Sequence, residues 1–266
     1  MIKKQRVTAS TLLADKQQGR KHVWLTAYDT NSTQLAEAAG VDVILVGDSL
    51  GMVSLGFEST IPVTLEHMIH HTSAVVRGRS KAWVVCDLPF GSYQQSPQQA
   101  FASATKVLQQ TACDAVKIEG GAHMLDTIRF LSERGIAVIG HIGLTPQSVK
   151  KLGGFKRQGT NQAAADILIA DAAMIADAGA VALVLECIPD DVASTITQRI
   201  AIPTVGIGVG TDCDAQVLVW HDLLGLSESN PPFAPAYTNL RSIISEAISE
   251  WANDVRTNHV RHDKNT

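Results

Sequence analysis

Eight short apolar runs recur along the chain: HVWLTAY (22–28), VDVILVGD (41–48), KAWVVCDLP (81–89), DAVKIEG (114–120), AVIGHIG (137–143), ALVLEC (182–187), PTVGIGVG (203–210) and VLVWHDLLG (217–225). Val, Ile, Leu and aromatic residues dominate them. Near-continuous apolar stretches of this length read as strands buried on both faces. Between them lie segments with helical periodicity, among them STQLAEAAG, SPQQAFASATKVLQQTA and NQAAADILIADAAMIADAGA. Strands alternating with helices predict a parallel sheet covered by helices. Eight such units in about 250 residues match the size of a (β/α)8 barrel. An open, doubly wound sheet is the rival architecture. The last crossover is the weak point, because only TDCDAQ separates the seventh and eighth runs, and a parallel connection ordinarily takes a dozen or more residues. One of those two strands must be shorter than the apolar run suggests. The chain reads as a single domain over 1–266, with a polar C-terminal tail from about residue 252 that frays.

The polar residues that interrupt this pattern fall in one place. The second run ends on Asp48 and Ser49 and the third on Asp87; the fourth carries Lys117 and Glu119, the fifth His141, and the sixth ends on Glu186. All lie at or near the C-terminal ends of their strands, the active face of a barrel enzyme. Lys117 and Glu119 are two residues apart and project to one face, which must be the barrel interior if they act in chemistry. A lone strand-end aspartate ordinarily caps a helix or shapes a turn. Several carboxylates converging on one mouth demand more: like charges about 4 Å apart cost on the order of 4 kcal/mol at an effective dielectric near 20. Such a cluster must take up protons, pair with Lys117 or bind a cation. An all-oxygen donor set suits a hard divalent ion such as Mg²⁺.

Composition narrows the field further. The chain has 266 residues, 45% hydrophobic and 18% charged, with a net charge of -4. No basic face is expected, so nucleic acid is not an expected partner. No window reaches the roughly 18 apolar residues of a membrane span. The N-terminal MIKKQRVTAS is basic without an apolar core, so no export signal is expected and the chain is placed in the cytoplasm. Cys86, Cys113, Cys187 and Cys213 are scattered, with no CxxC spacing, and read as reduced packing residues. His67, His70 and His71 share one helix and could pair on a face, but a solvated or core-edge role is the simpler reading. GIGVG (206–210) lacks the third glycine of a dinucleotide fingerprint, because Thr211 stands there. GGFKRQG (153–159) is a glycine-bounded basic loop, read equally as an anion contact, a mobile lid or plain surface.

LTAYD (25–29), VILVGDSLGM (43–52), CDLPF (86–90), VKIEGG (116–121), GHIGLTPQSV (140–149), GGFKRQG (153–159), LVLECIP (183–189) and HDLLG (221–225) together resemble the ketopantoate hydroxymethyltransferase family over residues 8 to 255. The resemblance implies a (β/α)8 barrel of the phosphoenolpyruvate mutase/isocitrate lyase type and a homodecamer built from pentamers. It implies transfer of a hydroxymethyl group from 5,10-methylenetetrahydrofolate to 3-methyl-2-oxobutanoate through an enolate stabilised by Mg²⁺ or another divalent ion. By motif, Asp48 and Asp87 resemble the metal ligands, with Glu119 joining through water. Ser49, Lys117 and the two aspartates resemble substrate contacts, and Glu186 the catalytic base, with His141 and Lys117 beside it. The chain departs from the family pattern at Pro232 and Pro235 in PPFAPAY (231–237), at Thr160 and at His70. These changes remove positive charge from outer loops and bear on folate affinity or on nothing but surface. The alternatives are a lyase or aldolase acting on another 2-oxoacid at the same site, or a non-catalytic barrel.

Overall fold

The structure, a computed structural model, describes residues 6–259. Its centre is a closed barrel of eight parallel strands in chain order: β1 (His22–Thr26), β2 (Val43–Val46), β3 (Trp83–Asp87), β4 (Ala115–Glu119), β5 (Val138–Gly143), β6 (Ala182–Glu186), β7 (Thr204–Ile207) and β8 (Ala215–Leu218). β1 pairs with both β2 and β8, which closes the sheet and leaves no edge. The open-sheet alternative is thereby excluded. The chain groups into two compact units, Met1–Val219, which contains every strand, and Trp220–Thr266.

Strand alternation sorts the residues. Trp24, Val43, Leu45, Trp83, Val85, Ala115, Ile139, Ala182, Val184, Val205, Ala215 and Val217 form one buried cluster inside the barrel, joined by Leu12 from the helix Ala9–Gln17. Trp24 meets Trp83 edge to face, ring centroids 6.4 Å apart, a pairing worth about 0.5–1.5 kcal/mol beyond its burial. Residues of the other parity face the helices. Cys86 is one of these: its thiol accepts a hydrogen bond from Thr72 in the helix Leu65–Gly78, pointing away from Asp87 as alternation requires. All four cysteines are free and buried; burial pushes the thiols of Cys113 and Cys187 up to about 11, so they are inert at neutral pH.

The helices start where the sequence offers caps. Asp29 and Thr64 each close a capping box, and Ser96 and Asn161 accept from the third residue of the helices Pro97–Thr111 and Gln162–Asp177. Two expectations are corrected. β7 and β8 are both shorter than their apolar runs, β8 begins two residues earlier, and HDLL belongs to the helix Trp220–Leu224, with Gly225 in the turn after it. The crossover over residues 208–214 contains no helix. A four-residue strand is only about 13 Å long, and seven extended residues reach about 23–25 Å, so a helix is not needed to return the chain. Asp214 then ties the two strand starts together by accepting from the Thr204 N–H at 2.9 Å. The second correction concerns the tail. The helix Leu240–Arg256, capped by Asn239, continues through residues 252–256 where fraying was expected; residues 260–266 lie outside the described residues, as do residues 1–5 of the segment read for an export signal. Among the described residues no helix is long and apolar enough to cross a membrane.

Candidate active site

The interior positions of β3 to β6 change from apolar to ionisable as the strands approach the C-terminal mouth. Val85 is followed two residues on by Asp87, Ala115 by Lys117 and Glu119, Ile139 by His141, and Val184 by Glu186. Register does the rest. Asp87 lies beside Lys117, Glu119 beside His141, and Gly143 beside Glu186 on neighbouring strands. Apolar packing of the lower barrel therefore holds a ring of charged groups at its upper end.

The ring is continuous. Lys117 Nζ lies 3.2 Å from Asp87 Oδ1 and 4.0 Å from Glu119 Oε1. His141 sits between two carboxylates, with Nδ1 3.5 Å from Glu119 Oε1 and Nε2 3.1 Å from Glu186 Oε2. Asp48 follows β2 and joins through its backbone, whose N–H donates to Asp87 Oδ2 at 3.0 Å. Asp48, Asp87, Lys117, Glu119 and His141 are all buried. Glu186 is the most open of the ion-paired acids, with 13% of its side chain accessible against 3% for Asp87 and Glu119, so it is the one an incoming molecule can meet directly.

Burial and mutual repulsion set the charge states. Burial raises the Asp48 carboxyl well above its ordinary value, and Asp87 and Glu119 push it further. Asp87 is also raised by burial, against the pull of Lys117. Burial disfavours a charged Lys117, but Asp87, Glu119 and Asp48 outweigh it and raise the ammonium's pKa. Glu119 is lowered, since His141 and Lys117 more than offset its burial. Burial and Lys117 oppose protonation of His141, yet the Glu119 and Glu186 carboxylates beside its two ring nitrogens lift it to about 9. Its Nδ1 also stands 3.2 Å from Lys117 Nζ. A neutral ring accepting from the lysine would explain that approach, but two flanking carboxylates favour the cation. Lys117 and His141 then stand as like charges held together by the acids around them.

The sequence reading brought Asp48, Asp87, Lys117, Glu119, His141 and Glu186 to one mouth, and the structure places them there. Ser49 is half-buried beside Asp48, its hydroxyl 3.0 Å from the Tyr28 hydroxyl. Two participants were missed. Gln147 donates from Nε2 to Asp48 Oδ2 at 2.9 Å and from its backbone to Glu119 Oε2 at 3.0 Å. Tyr93 donates to Gln147 Oε1 at 2.7 Å and accepts from the Glu119 N–H at 3.0 Å. Neither carries a local sequence signal: Gln147 stands in the short turn GLTPQSV after β5 and Tyr93 in a loop. His67 and His71 have structural partners: His67 completes a capping box with Thr64, and His71 Nδ1 lies 2.8 Å from the Tyr28 carbonyl. His70, Thr160, Pro232 and Pro235 are all exposed. In the basic loop, Arg157 is bound to the Ile188 carbonyl and Asp190.

The donor set fits a hard divalent cation. Asp48, Asp87, Glu119 and Glu186 face only Lys117 and His141 as cations in the ring, and Asp87 Oδ1 is fully buried without a hydrogen bond. Among the described residues no group of three or more His, Cys, Asp or Glu is spaced to enclose a metal by itself. Two carboxylates with the remaining positions left to water and substrate is the usual Mg²⁺ arrangement, and Asp48 and Asp87, joined by the Asp48 N–H to Asp87 Oδ2 hydrogen bond, are the pair that could supply it.

A closed parallel barrel with an ionisable ring at its C-terminal mouth defines an α/β barrel of the kind enzymes use, and solved structures share the fold. It is similar to 2,3-dimethylmalate lyase, itself a phosphoenolpyruvate mutase/isocitrate lyase superfamily member, at a TM-score of 0.60 and 16% identity, covering 97% of this chain and 91% of that one. It is also similar to phosphoenolpyruvate phosphomutase from Streptomyces platensis subsp. rosaceus, at a TM-score of 0.62 and 16% identity, covering 96% and 89%. Sequence takes the assignment further. The family model of ketopantoate hydroxymethyltransferase matches residues 6–260. The 3-methyl-2-oxobutanoate hydroxymethyltransferase of Synechocystis sp. is 54% identical over 251 residues, 94% of this chain and 96% of that one. That of Moorella thermoacetica is 50% identical over 257 residues, 96% of each. The chain belongs to the ketopantoate hydroxymethyltransferase family of transferases.

Proposed function

We propose that the protein transfers a hydroxymethyl group from 5,10-methylenetetrahydrofolate to 3-methyl-2-oxobutanoate, giving 2-dehydropantoate and tetrahydrofolate for pantothenate and coenzyme A synthesis. The observation that carries this reading is the ring Asp87–Lys117–Glu119–His141–Glu186, in which one partly open carboxylate stands beside buried cations. The names of its full-length relatives agree with it.

The reaction needs a base for the C3 proton, positive charge for the oxygens that gain electron density, and one water to supply the new hydroxyl. Glu186 is the base: it is the acid an incoming substrate can reach, and His141 fixes one of its oxygens. Lys117, held by Asp87 and Glu119, places a cation where the deprotonated substrate develops negative charge. Asp48 and Asp87 would hold Mg²⁺ or a similar ion, with Glu119 reaching it through water. Bound there, the ion would act as a Lewis acid toward the keto and carboxylate oxygens, worth several kcal/mol. Ser49, beside Asp48, is placed to donate to the substrate carboxylate. One water supplies the hydroxyl oxygen: it adds to the one-carbon unit, whose two bonds to the folate nitrogens break as the water's protons pass to them, and the carbanion equivalent at C3 adds to the carbon so released while its oxygen takes up the proton that Glu186 removed.

The same reading places the protein in the cytoplasm as a homodecamer of pentamers; exposed Ile167 and Met174 on the helix Gln162–Asp177 are apolar surface that an assembly would cover. Light scattering of the purified protein measures that. The chemistry is tested by Glu186→Gln. This variant should lose solvent exchange at C3 of 3-methyl-2-oxobutanoate while still binding Mg²⁺. Undiminished exchange would remove Glu186 from the role of base.

A further inference from the structure

Gln147 has no part in the reaction set out above, yet five hydrogen bonds meet on it. Its backbone N–H donates to Glu119 Oε2 at 3.0 Å. Its Nε2 donates to Asp48 Oδ2 and to the Leu88 carbonyl, both at 2.9 Å. Its Oε1 accepts from Tyr93 at 2.7 Å and from Gln94 Nε2 at 3.0 Å. The side chain is buried, and every donor and acceptor of the amide is used.

The sense of the amide is fixed by its neighbours. The Tyr93 hydroxyl accepts the Glu119 N–H, so its single proton goes to Oε1 of Gln147. Asp48 Oδ2 and the Leu88 carbonyl are acceptors only, so they require the NH₂ side. A flipped amide would set oxygen against oxygen at two buried contacts, leaving buried acceptors without donors. The short helix Pro146–Ser148 that carries Gln147 follows β5. One residue therefore reaches acids on two other segments, Asp48 after β2 and Glu119 at the end of β4.

We propose that Gln147 is a positioning residue of the divalent-cation site, holding Asp48 by Oδ2 so that Oδ1 is left for the ion, and holding Glu119 by Oε2 so that its Oε1 stays toward Lys117 and His141. The inference rests on the cation site of the proposed function. Gln147 does not touch the ion. It acts by fixing the rotation of these two buried carboxylates. Groups that orient metal ligands in this way typically govern affinity by 10–100-fold.

The test compares Mg²⁺ affinity by isothermal titration calorimetry in the wild type, Gln147→Met and Glu37→Ala. Gln147→Met keeps the volume and removes the amide. Glu37→Ala lowers stability far from the mouth and controls for destabilisation alone. Gln147→Met should bind Mg²⁺ about 10–100-fold more weakly, with turnover partly recovered at high Mg²⁺, whereas Glu37→Ala should bind as the wild type does. Should Gln147→Met fail to fold, Tyr93→Phe, which removes the hydroxyl that fixes the amide, should show a smaller loss in the same direction. Wild-type affinity in the variant measured overturns the inference and leaves the cation site standing. A wild-type protein that takes up no Mg²⁺ overturns the cation site itself, and the role of Gln147 with it.

Discussion

Lys117→Met removes the cation at the centre of the ring while nearly preserving the side-chain volume. The ammonium lies 3.2 Å from Asp87 and 4.0 Å from Glu119. At an effective dielectric near 20 these pairs are worth roughly 5 and 4 kcal/mol before desolvation is subtracted. Burying the lysine offsets much of that, and removing one member of a buried pair is measured at about 3–5 kcal/mol. In a protein of this size that lowers the melting temperature by about 6–20 °C. The pH dependence distinguishes a charge effect from a packing effect. Without Lys117, the buried Asp87 carboxyl, already raised in the wild type, lies still further above its unfolded value of about 3.9. A carboxyl raised in this way destabilises the fold fully above its folded pKa, and the penalty fades as pH falls toward the unfolded value. The lysine's own pKa is raised in the fold, so its contribution is fully present below about 10.4 and stays constant from pH 5 to 8. The difference between variant and wild type should therefore be largest near pH 8 and shrink toward pH 5. Urea unfolding at the two pH values, in EDTA, measures it. An equal deficit at both, or one below about 1 kcal/mol, would refute the claim that Lys117 is held by charge.

Asp48→Asn should abolish Mg²⁺ binding in calorimetry yet raise the melting temperature measured in EDTA, because it removes a carboxylate that burial and its acidic neighbours disfavour while its oxygen can still accept from Gln147. Gly143→Ala should inactivate the enzyme. Gly143 has φ +94°, and a Cβ there would lie 2.2 Å from the Glu186 carbonyl, so the backbone bearing the base must move; a structure of the variant and its rate of C3 exchange check this. Glu37→Ala should cost about 2–4 kcal/mol of stability with little change in kcat, since the Glu37 carboxylate accepts from the backbone N–H groups of Ser80, Lys81 and Ala82; denaturant unfolding and a steady-state assay separate the two effects.

The barrel was legible because its signal is repeated eight times. Runs such as VILV and WVVCD are buried throughout, and period-two alternation carried the polar strand ends to the interior once the sheet was known to close. The ends of β7 and β8 were not legible. Apolar VLVW and HDLLG run together, and nothing in the composition marks Val219 as the boundary between a strand and the helix Trp220–Leu224. The members of the ring could be read from sequence; their pairing could not. That Asp87 stands beside Lys117 and Glu119 beside His141 follows from strand register, which depends on how whole strands pack. Gln147 and Tyr93 were obscured for a related reason. Each matters through partners 26 to 99 positions away, and a neutral side chain in a turn gives no sign of such partners.

The same structure shows why the acids at the mouth differ from those at the other end of the barrel. At the N-terminal ends of the strands, Glu37 receives three backbone N–H groups. Asp114 receives the Val84 N–H together with Arg6 and Arg79. Asp214 receives the Thr204 N–H, its hydroxyl and Lys16. Each of these carboxylates has three donors, and each ties neighbouring segments together; that is a stabilising role. At the mouth the accounting is reversed. The buried Asp87 Oδ1 has only the Lys117 ammonium, 3.2 Å away, and two cations stand among four acids. A fold has no stability reason to bury carboxylates short of donors. The deficit at the C-terminal end is one that a divalent cation and an anionic substrate can complete together, the cation supplying the missing charge and the substrate its remaining ligands. Counting donors on each buried carboxylate thus separates the acids that hold the barrel together from those at the mouth, where Asp48 and Asp87 are left open to a further partner.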